Sequence, residues 1–192
     1  MARDWLADSR SEAAADRILD AAGALFAKRE AATVGMHEIA SAAGCSRATL
    51  YRYFENRDAL NTAYVNREAN RVYRDIREQL RGMHDPAERI VAGVTTALGL
   101  VRRSPALASW FTRTEAPIGG ELAEQSEVIK TLTAAFLNSL GPDDPAVVKR
   151  RARWLVRVIT SLLIFPGRSS ADEEQMLREF VVPIVVTRLR TF

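Results

Sequence analysis

The sequence predicts an all-α protein, in which a three-helix N-terminal unit is joined by a connector helix to a larger helical domain. Apolar residues recur at helical spacing almost everywhere along the chain. The sequence lacks the alternating runs flanked by Asn-Gly or Asp-Gly that are typical of strand hairpins. With 192 residues, 47% of them hydrophobic and 27% charged, the chain has the composition of a folded protein and room for two compact units.

The first three helices are expected to share one small core. They are predicted from about Glu12 to Lys28, from Met36 to Ala43 and from Ser46 to Phe54. Between the second and the third, Gly44-Cys45 reads as a turn.

A longer connector helix is predicted next, from Asn56 or Arg57 to about Arg81, where Gly82 and Asp85-Pro86 end it. Pro and Gly separate five further helices, at about 86–103, 105–113, 121–140, 145–165 and 172–190. This pattern predicts two domains, a helix-turn-helix domain at 1–56 and a second helical domain at 57–192.

Residues 39–54, IASAAGCSRATLYRYF, have the features that a helix-turn-helix requires. Ala40 is small where two helices would cross, Gly44 tolerates the positive φ of the turn, and Ser46 is a good N-cap. The apolar residues that would lock the two helices together are Ile39, Ala43, Cys45, Leu50 and Phe54.

The remaining face of the third helix is predicted to enter the major groove of DNA. Its members are Arg47, Ala48, Thr49, Tyr51, Arg52 and Tyr53. The two arginines suit guanine edges or phosphates, and the hydroxyls suit phosphate oxygens. Arg57 begins the next helix, where its charge and nearby amides suit another phosphate. The alternative is an ordinary amphipathic helix with aromatic core residues, but the combined spacing of small residue, turn glycine and cap favours the helix-turn-helix.

Residues 18–60, ILDAAGALFAKREAATVGMHEIASAAGCSRATLYRYFENRDAL, resemble the DNA-binding domain of the TetR family of transcriptional regulators. Chain length and the N-terminal position of the motif also resemble that family, whereas residues 86–192 carry no family-specific motif. The resemblance implies that the recognition-helix residues named above contact double-stranded operator DNA, that Arg57 stands where a lysine is common, and that repression is the usual mode.

Two departures from the family pattern lie in the loop after the first helix. Glu30 occupies the place of the usual glycine, and Val34-Gly35 replaces the usual Thr or Ser cap before the second helix. Thr33 would supply the missing cap if the start of the second helix shifted along the chain.

The N-terminal unit carries little net charge, so DNA binding is expected to depend on the positions of individual charged side chains. Residues 1–60 hold eight Arg and Lys against nine Asp and Glu, although the whole chain carries +3. An N-terminal arm with Arg3 and Arg10 suits the DNA backbone or minor groove. Its acidic neighbours Asp4 and Asp8 favour a merely solvated tail.

Two late helices have apolar faces that favour a homodimer. The candidate interface residues are Leu155, Ile159, Leu162, Phe180 and Ile184. Ordinary packing within one domain is the alternative for part of each face. In a dimer the recognition helices would stand about 34–36 Å apart, which predicts a near-palindromic operator.

A small, largely apolar effector is expected in the second domain. Candidate pocket residues are Trp110, Phe111, Phe136 and Trp154, with Arg102, Arg103, Arg113 or Arg157 as polar anchors. The alternative is that these aromatics are plain core. A ligand that altered the angle of the connector helix would change the spacing of the recognition helices and so weaken DNA binding.

Several other functions find no support in the sequence. One cysteine and two histidines leave no intramolecular disulfide and no plausible Cys/His metal cluster. No nucleophile-base pair or phosphate loop is visible, so neither an enzyme nor a cofactor is expected. No apolar run reaches the roughly 20 residues of a membrane span, and the first residues lack a signal-peptide pattern, so a cytoplasmic protein is expected. The remaining rival is a helical small-molecule-binding or scaffold protein without specific DNA binding.

Overall fold

The computed structural model describes residues 5–111 and 118–186. These residues form helices and connecting turns, and no strand occurs among them. The all-α prediction is therefore confirmed.

Three helices and a short turn form the N-terminal unit. Their bounds are Trp5–Phe26 for α1, Ala31–Thr33 for a 3-10 turn, Met36–Ala42 for α2 and Arg47–Tyr53 for α3. Helix α1 begins seven residues before the predicted start at Glu12, because no Gly or Pro interrupts the preceding segment and several of its residues favour helix.

The connector helix α4 spans Arg57–Gln79 and begins at an Asn56 cap, whose side chain accepts from the Ala59 amide. Beyond it lie the helices of the second domain. They are α5 Pro86–Arg103, α6 Pro105–Ala108, α7 Ile118–Gln125, α8 Glu127–Asn138, α9 Pro145–Ile164, α10 Ser170–Met176 and α11 Val182–Val186, with a π-helical turn at Leu177–Val181 joining the last two.

In the second domain, two predicted helices end or divide within their expected ranges. The helix expected at 105–113 ends at Ala108, and the one expected at 121–140 is two helices that meet at Ser126. Ser126 caps α8 by accepting from the Ile129 amide, and its hydroxyl lies 2.7 Å from Asn66 Oδ1 on the connector. A polar contact with α4 thus breaks a helix that the apolar pattern alone would continue.

The described residues form two hydrophobic cores. The first joins α1, α2 and α3 to the start of α4, and it includes Leu60, Tyr64 and the distant Trp110. The second lies between α5, α8, α9 and the α10–α11 segment. The first core therefore crosses the predicted domain boundary at 56/57 and reaches into the second domain. None of the described helices combines the length and apolarity needed to cross a membrane.

Candidate DNA-binding surface and ligand cavity

The turn between α2 and α3 is built as the sequence predicts. Gly44 has φ +66°, and its N–H donates to the Ser41 carbonyl at 3.1 Å. The next amide, of Cys45, donates to the Ala40 carbonyl at 3.0 Å. This pair of bonds is the Schellman motif, in which glycine adopts the left-handed conformation that L side chains rarely take. Ser46 then caps α3 by accepting from the Thr49 amide at 3.1 Å.

The predicted packing between the two helices is confirmed. Ile39, Leu50 and Phe54 are buried, with 1%, 0% and 7% of their surface exposed. Ala43 and Cys45 are partly buried against the same core. Burial on these positions fixes which face of α3 remains for a partner.

That remaining face carries the predicted DNA contacts. Arg47, Ala48, Tyr51 and Arg52 are exposed. Thr49 is half-buried, with its hydroxyl 2.9 Å from that of Ser46. Tyr53 is partly buried against the first core, and the Arg52 guanidinium lies 5.3 Å from the centre of its ring.

Arg57 has a protein contact that the sequence did not indicate. Its Nη2 donates to the carbonyls of Ala31 and Ala32, at 2.8 and 2.5 Å. The side chain thereby ties the start of α4 to the loop between α1 and α2. Its charge stays at the N-terminal edge of α4, beside the helix-turn-helix.

The unusual loop before α2 is closed by its own residues. Thr33 does not cap α2, because its hydroxyl donates to the Glu30 carbonyl at 2.8 Å. Gly35 precedes the helix, and its N–H donates to the Glu38 carboxylate at 2.9 Å. The Gly35 amide and then Arg29, 2.6 Å away, hold the pKa of Glu38 below its usual value. Arg3 of the predicted arm lies outside the described residues, and Arg10 falls within α1.

An apolar cavity of about 180 Å³ lies in the second domain, walled mainly by α4, α5, α7, α8 and α9. Three of the four predicted aromatics line it: Trp110, Phe111 and Phe136. Trp154 does not line the cavity and is instead partly buried against the second core. Successive helical residues point about 100° apart, and it is the neighbouring Leu155 that faces the cavity.

The arginines expected as polar anchors do not line the cavity among the described residues. Arg102 instead pairs with the buried Glu173 at 2.7 Å, and this contact holds the pKa of Glu173 below its usual value. Arg157 pairs with Glu124 at 2.7 Å. Arg103 is exposed, and Arg113 lies outside the described residues. The charged side chain found in the described lining is Glu68, which the sequence did not single out.

Three aromatic rings in mutual contact join the cavity to the first core. The Trp110 ring lies 5.1 Å from that of Phe26 in an edge-on arrangement and 5.8 Å from that of Tyr64, nearly parallel to it. Phe26 and Tyr64 are themselves 5.0 Å apart, edge-on. Trp110 is only 2% exposed, so one side chain belongs to both the cavity wall and the helix-turn-helix core.

An ion-pair cluster also ties the connector to α1. The Arg67 side chain, 15% exposed, places Nη1 2.9 Å from Asp20 Oδ1 and 3.4 Å from Asp16 Oδ1. The same nitrogen donates to the Asp16 carbonyl at 3.1 Å. On the cavity side, Arg67 Nε lies 3.2 Å from Glu68.

The predicted dimer residues separate into two groups. Phe180 and Ile184 are 62% and 51% exposed, and Leu162 is partly buried. Leu155 is only 1% exposed and lines the cavity, as does Ile159. This revises the prediction for Leu155, whose side chain has almost no surface left to offer a second copy. Sequence reasoning also missed Phe165, which is 58% exposed at the end of α9.

A helix-turn-helix with an exposed recognition face, carried by a helical domain, defines a class of transcriptional regulators. Residues 18–64 match the family model described as bacterial regulatory proteins, tetR family. Over 182 residues the chain is 63% identical to an uncharacterized HTH-type transcriptional regulator of Mycobacterium tuberculosis, covering 95% of this chain and 90% of that protein. The chain therefore belongs to the TetR family of transcriptional regulators.

One more distant relative and two solved structures are also similar to the chain. The chain is 25% identical to the HTH-type transcriptional repressor KstR of Rhodococcus jostii, covering 97% of this chain and 89% of that protein. The fold is similar to that of the repressor AlkX from a Dietzia strain, implicated in n-alkane biodegradation (TM-score 0.67, 22% identity, 89% and 94% of the two chains covered). It is also similar to Thermus thermophilus FadR in complex with lauroyl-CoA (TM-score 0.63, 20% identity, 93% and 96% covered). The relatives are regulators, which is a non-enzymatic role.

Proposed function

We propose that the protein is a cytoplasmic, homodimeric repressor that is released from a near-palindromic operator by a small, largely apolar ligand. The observation that carries this proposal is the shared position of Trp110, in the wall of the cavity and in the core of the helix-turn-helix. A molecule that fills the cavity presses on the same side chain that supports α1 and α4.

Operator recognition is assigned to the exposed face of α3 and its surroundings. Arg47 and Arg52 are the candidates for guanine edges or phosphates, and Thr49, Tyr51 and Tyr53 for phosphate oxygens. Ala48 is small enough for close approach to the groove, and Arg57 adds positive charge at the start of α4. Because residues 1–60 are close to neutral, affinity depends on these few contacts more than on a general basic field.

Dimerisation is assigned to the α9 end and to the segment from α10 to α11. Phe180 and Ile184 lie four residues apart on this segment and are mostly exposed in the single chain. Exposed apolar side chains at helical spacing favour helix-on-helix packing with a second copy. Leu162, partly buried against the second core, is the candidate from α9. The helix-turn-helix unit at 1–56 and the ligand-binding and dimerisation unit at 57–192 would then act as the two working parts.

The size and chemistry of the cavity favour a small apolar effector. An apolar cavity of about 150 Å³ accommodates benzene, so 180 Å³ holds a single ring or a short chain without rearrangement. A similar fold serves the repressor AlkX, implicated in n-alkane biodegradation, which agrees with an apolar class of ligand.

The decisive experiment is selection of bound sequences from random or genomic DNA by the full-length protein, followed by titration of the recovered site. The proposal expects an inverted repeat, with affinity that falls as salt rises. Binding that shows no sequence preference and no salt dependence would instead favour a helical small-molecule-binding or scaffold protein.

A further inference from the structure

Glu68 of α4 places a carboxylate with an unused oxygen in the wall of a cavity whose other described lining residues are apolar except Thr133 and Thr160. Its side chain is 14% exposed. Both hydrogen bonds of this carboxylate go to Oε1, which accepts from Arg67 Nε at 3.2 Å and from Arg71 Nη1 at 2.7 Å. The other oxygen, Oε2, makes no hydrogen bond to any described residue. A carboxylate oxygen that no protein donor occupies is open to a hydrogen bond from a bound ligand.

Trp110 offers the complementary group. Its indole Nε1, which can only donate, is buried and has no hydrogen-bond partner among the described residues. Trp110 also lines the cavity. The cavity wall therefore includes one residue with a spare acceptor and one with a spare donor.

Both groups belong to the end of the cavity near Tyr64. The Trp110 ring stacks on Tyr64, and Glu68 follows Tyr64 by one turn of α4. Burial and then the negative charge of Glu68 raise the pKa of Tyr64 to about 12, which agrees with a carboxylate close to that hydroxyl. Two groups that lack a protein partner, the Glu68 oxygen and the Trp110 N–H, thus belong to the same end of the cavity, whereas the hydroxyl of the lining residue Thr133 already donates to the Ile129 carbonyl.

We propose that the effector is an apolar molecule with a hydroxyl group that donates to Glu68 and accepts from Trp110. This inference rests on the proposed function, since it specifies the ligand of the same cavity. A hydroxyl both donates and accepts, whereas a methyl group does neither. A ligand carboxylate in the same place has no proton to donate to Glu68 and would add a second negative charge, and neither Arg67 nor Arg71 lines the cavity to pair with that second charge.

Three aromatic probes separate these possibilities when they are titrated calorimetrically into the full-length dimer. Phenol and toluene have nearly the same shape and differ by a hydroxyl in place of a methyl, and benzoate carries a negative charge. We expect phenol to bind at least about ten-fold more tightly than toluene, because a hydrogen bond to a charged group contributes this much. Benzoate is expected not to bind.

Two variants test the assigned groups. Glu68→Met removes the acceptor and keeps a long side chain, so it should lower phenol affinity to that of toluene and leave toluene binding unchanged. Trp110→Phe removes the donor and should weaken phenol binding several-fold. The matched control is Glu78→Met, since Glu78 lies on the same helix but is 64% exposed and pairs with Arg81. Retained toluene binding shows that each variant is folded.

The outcomes distinguish this inference from the function on which it rests. Equal affinity of the wild-type protein for phenol and toluene, or benzoate binding as tight as phenol binding, would overturn the role of Glu68 and leave an apolar effector site intact. If neither phenol nor toluene bound, the cavity would not be an effector site for such molecules, and the proposed function would fail together with the inference.

Discussion

Replacing Trp110 by alanine tests whether one side chain supports both the cavity and the helix-turn-helix. The ring is 2% exposed and contacts the rings of Phe26 and Tyr64 at 5.1 and 5.8 Å. Truncating a buried tryptophan costs about 3–5 kcal/mol, including roughly 0.5–1.5 kcal/mol for each lost ring pair. For a chain of this size the midpoint temperature of thermal unfolding should fall by roughly 6–20 °C.

The assay is thermal or urea unfolding at one fixed protomer concentration, since dimerisation makes apparent stability depend on concentration. Trp154→Ala is the matched control, because Trp154 is partly buried against the second core and does not line the cavity. It should cost clearly less. If Trp110→Ala lowered the free energy of unfolding by less than about 1 kcal/mol, or if both variants lowered it equally, the idea that Trp110 joins the cavity wall to the helix-turn-helix core would be refuted.

Three further predictions follow from the exposed faces and the buried ion pair. Replacing Arg47 or Tyr51 by alanine should weaken operator binding about ten-fold or more with nearly unchanged thermal unfolding, as measured by fluorescence anisotropy and calorimetry; a large loss of stability would mean that these are core residues. Phe180→Glu should convert the dimer to a folded monomer in light scattering, and an unchanged dimer mass would place the interface elsewhere. Because the pKa of Glu173 is lowered in the folded state, its contribution to stability is complete above the ordinary carboxyl value of 4.5 and is lost as the pH falls through the lowered value. Glu173→Gln should therefore destabilise the protein at neutral pH and reduce the acid dependence of its unfolding temperature, whereas an unchanged profile would show that the pair with Arg102 contributes little.

The helix-turn-helix could be predicted because its determinants are local. Gly44, Ser46 and the buried Leu50 lie within seven residues, and each acts through the backbone or through the adjacent helix. The connector helix could be bounded for the same reason, since Asn56 caps its start.

The cavity depended on contacts between distant segments. Nothing near Trp110 in the sequence indicates that it packs on Phe26, 84 residues earlier (110 − 26). The helical period places Leu155 on an apolar face of α9 but does not show what covers that face. The sequence therefore predicts a dimer contact at a residue that lines the cavity in the structure. Glu68 was missed because a charged residue in a helix is usually solvated, and only the packed structure shows it in an apolar wall.

Trp110 belongs both to the cavity wall and to the helix-turn-helix core, and this affects how the ligand preference of such a regulator can evolve. Substitutions at this position should alter the support of the helix-turn-helix together with the proposed ligand site, so selection for a new effector is expected to be constrained there. Phe136 and Ile159 line the same cavity but belong to the second core, where a change in shape leaves α1, α2 and α3 untouched. Divergence in inducer preference, and the design of biosensors from this scaffold, should therefore proceed through the α8–α9 wall.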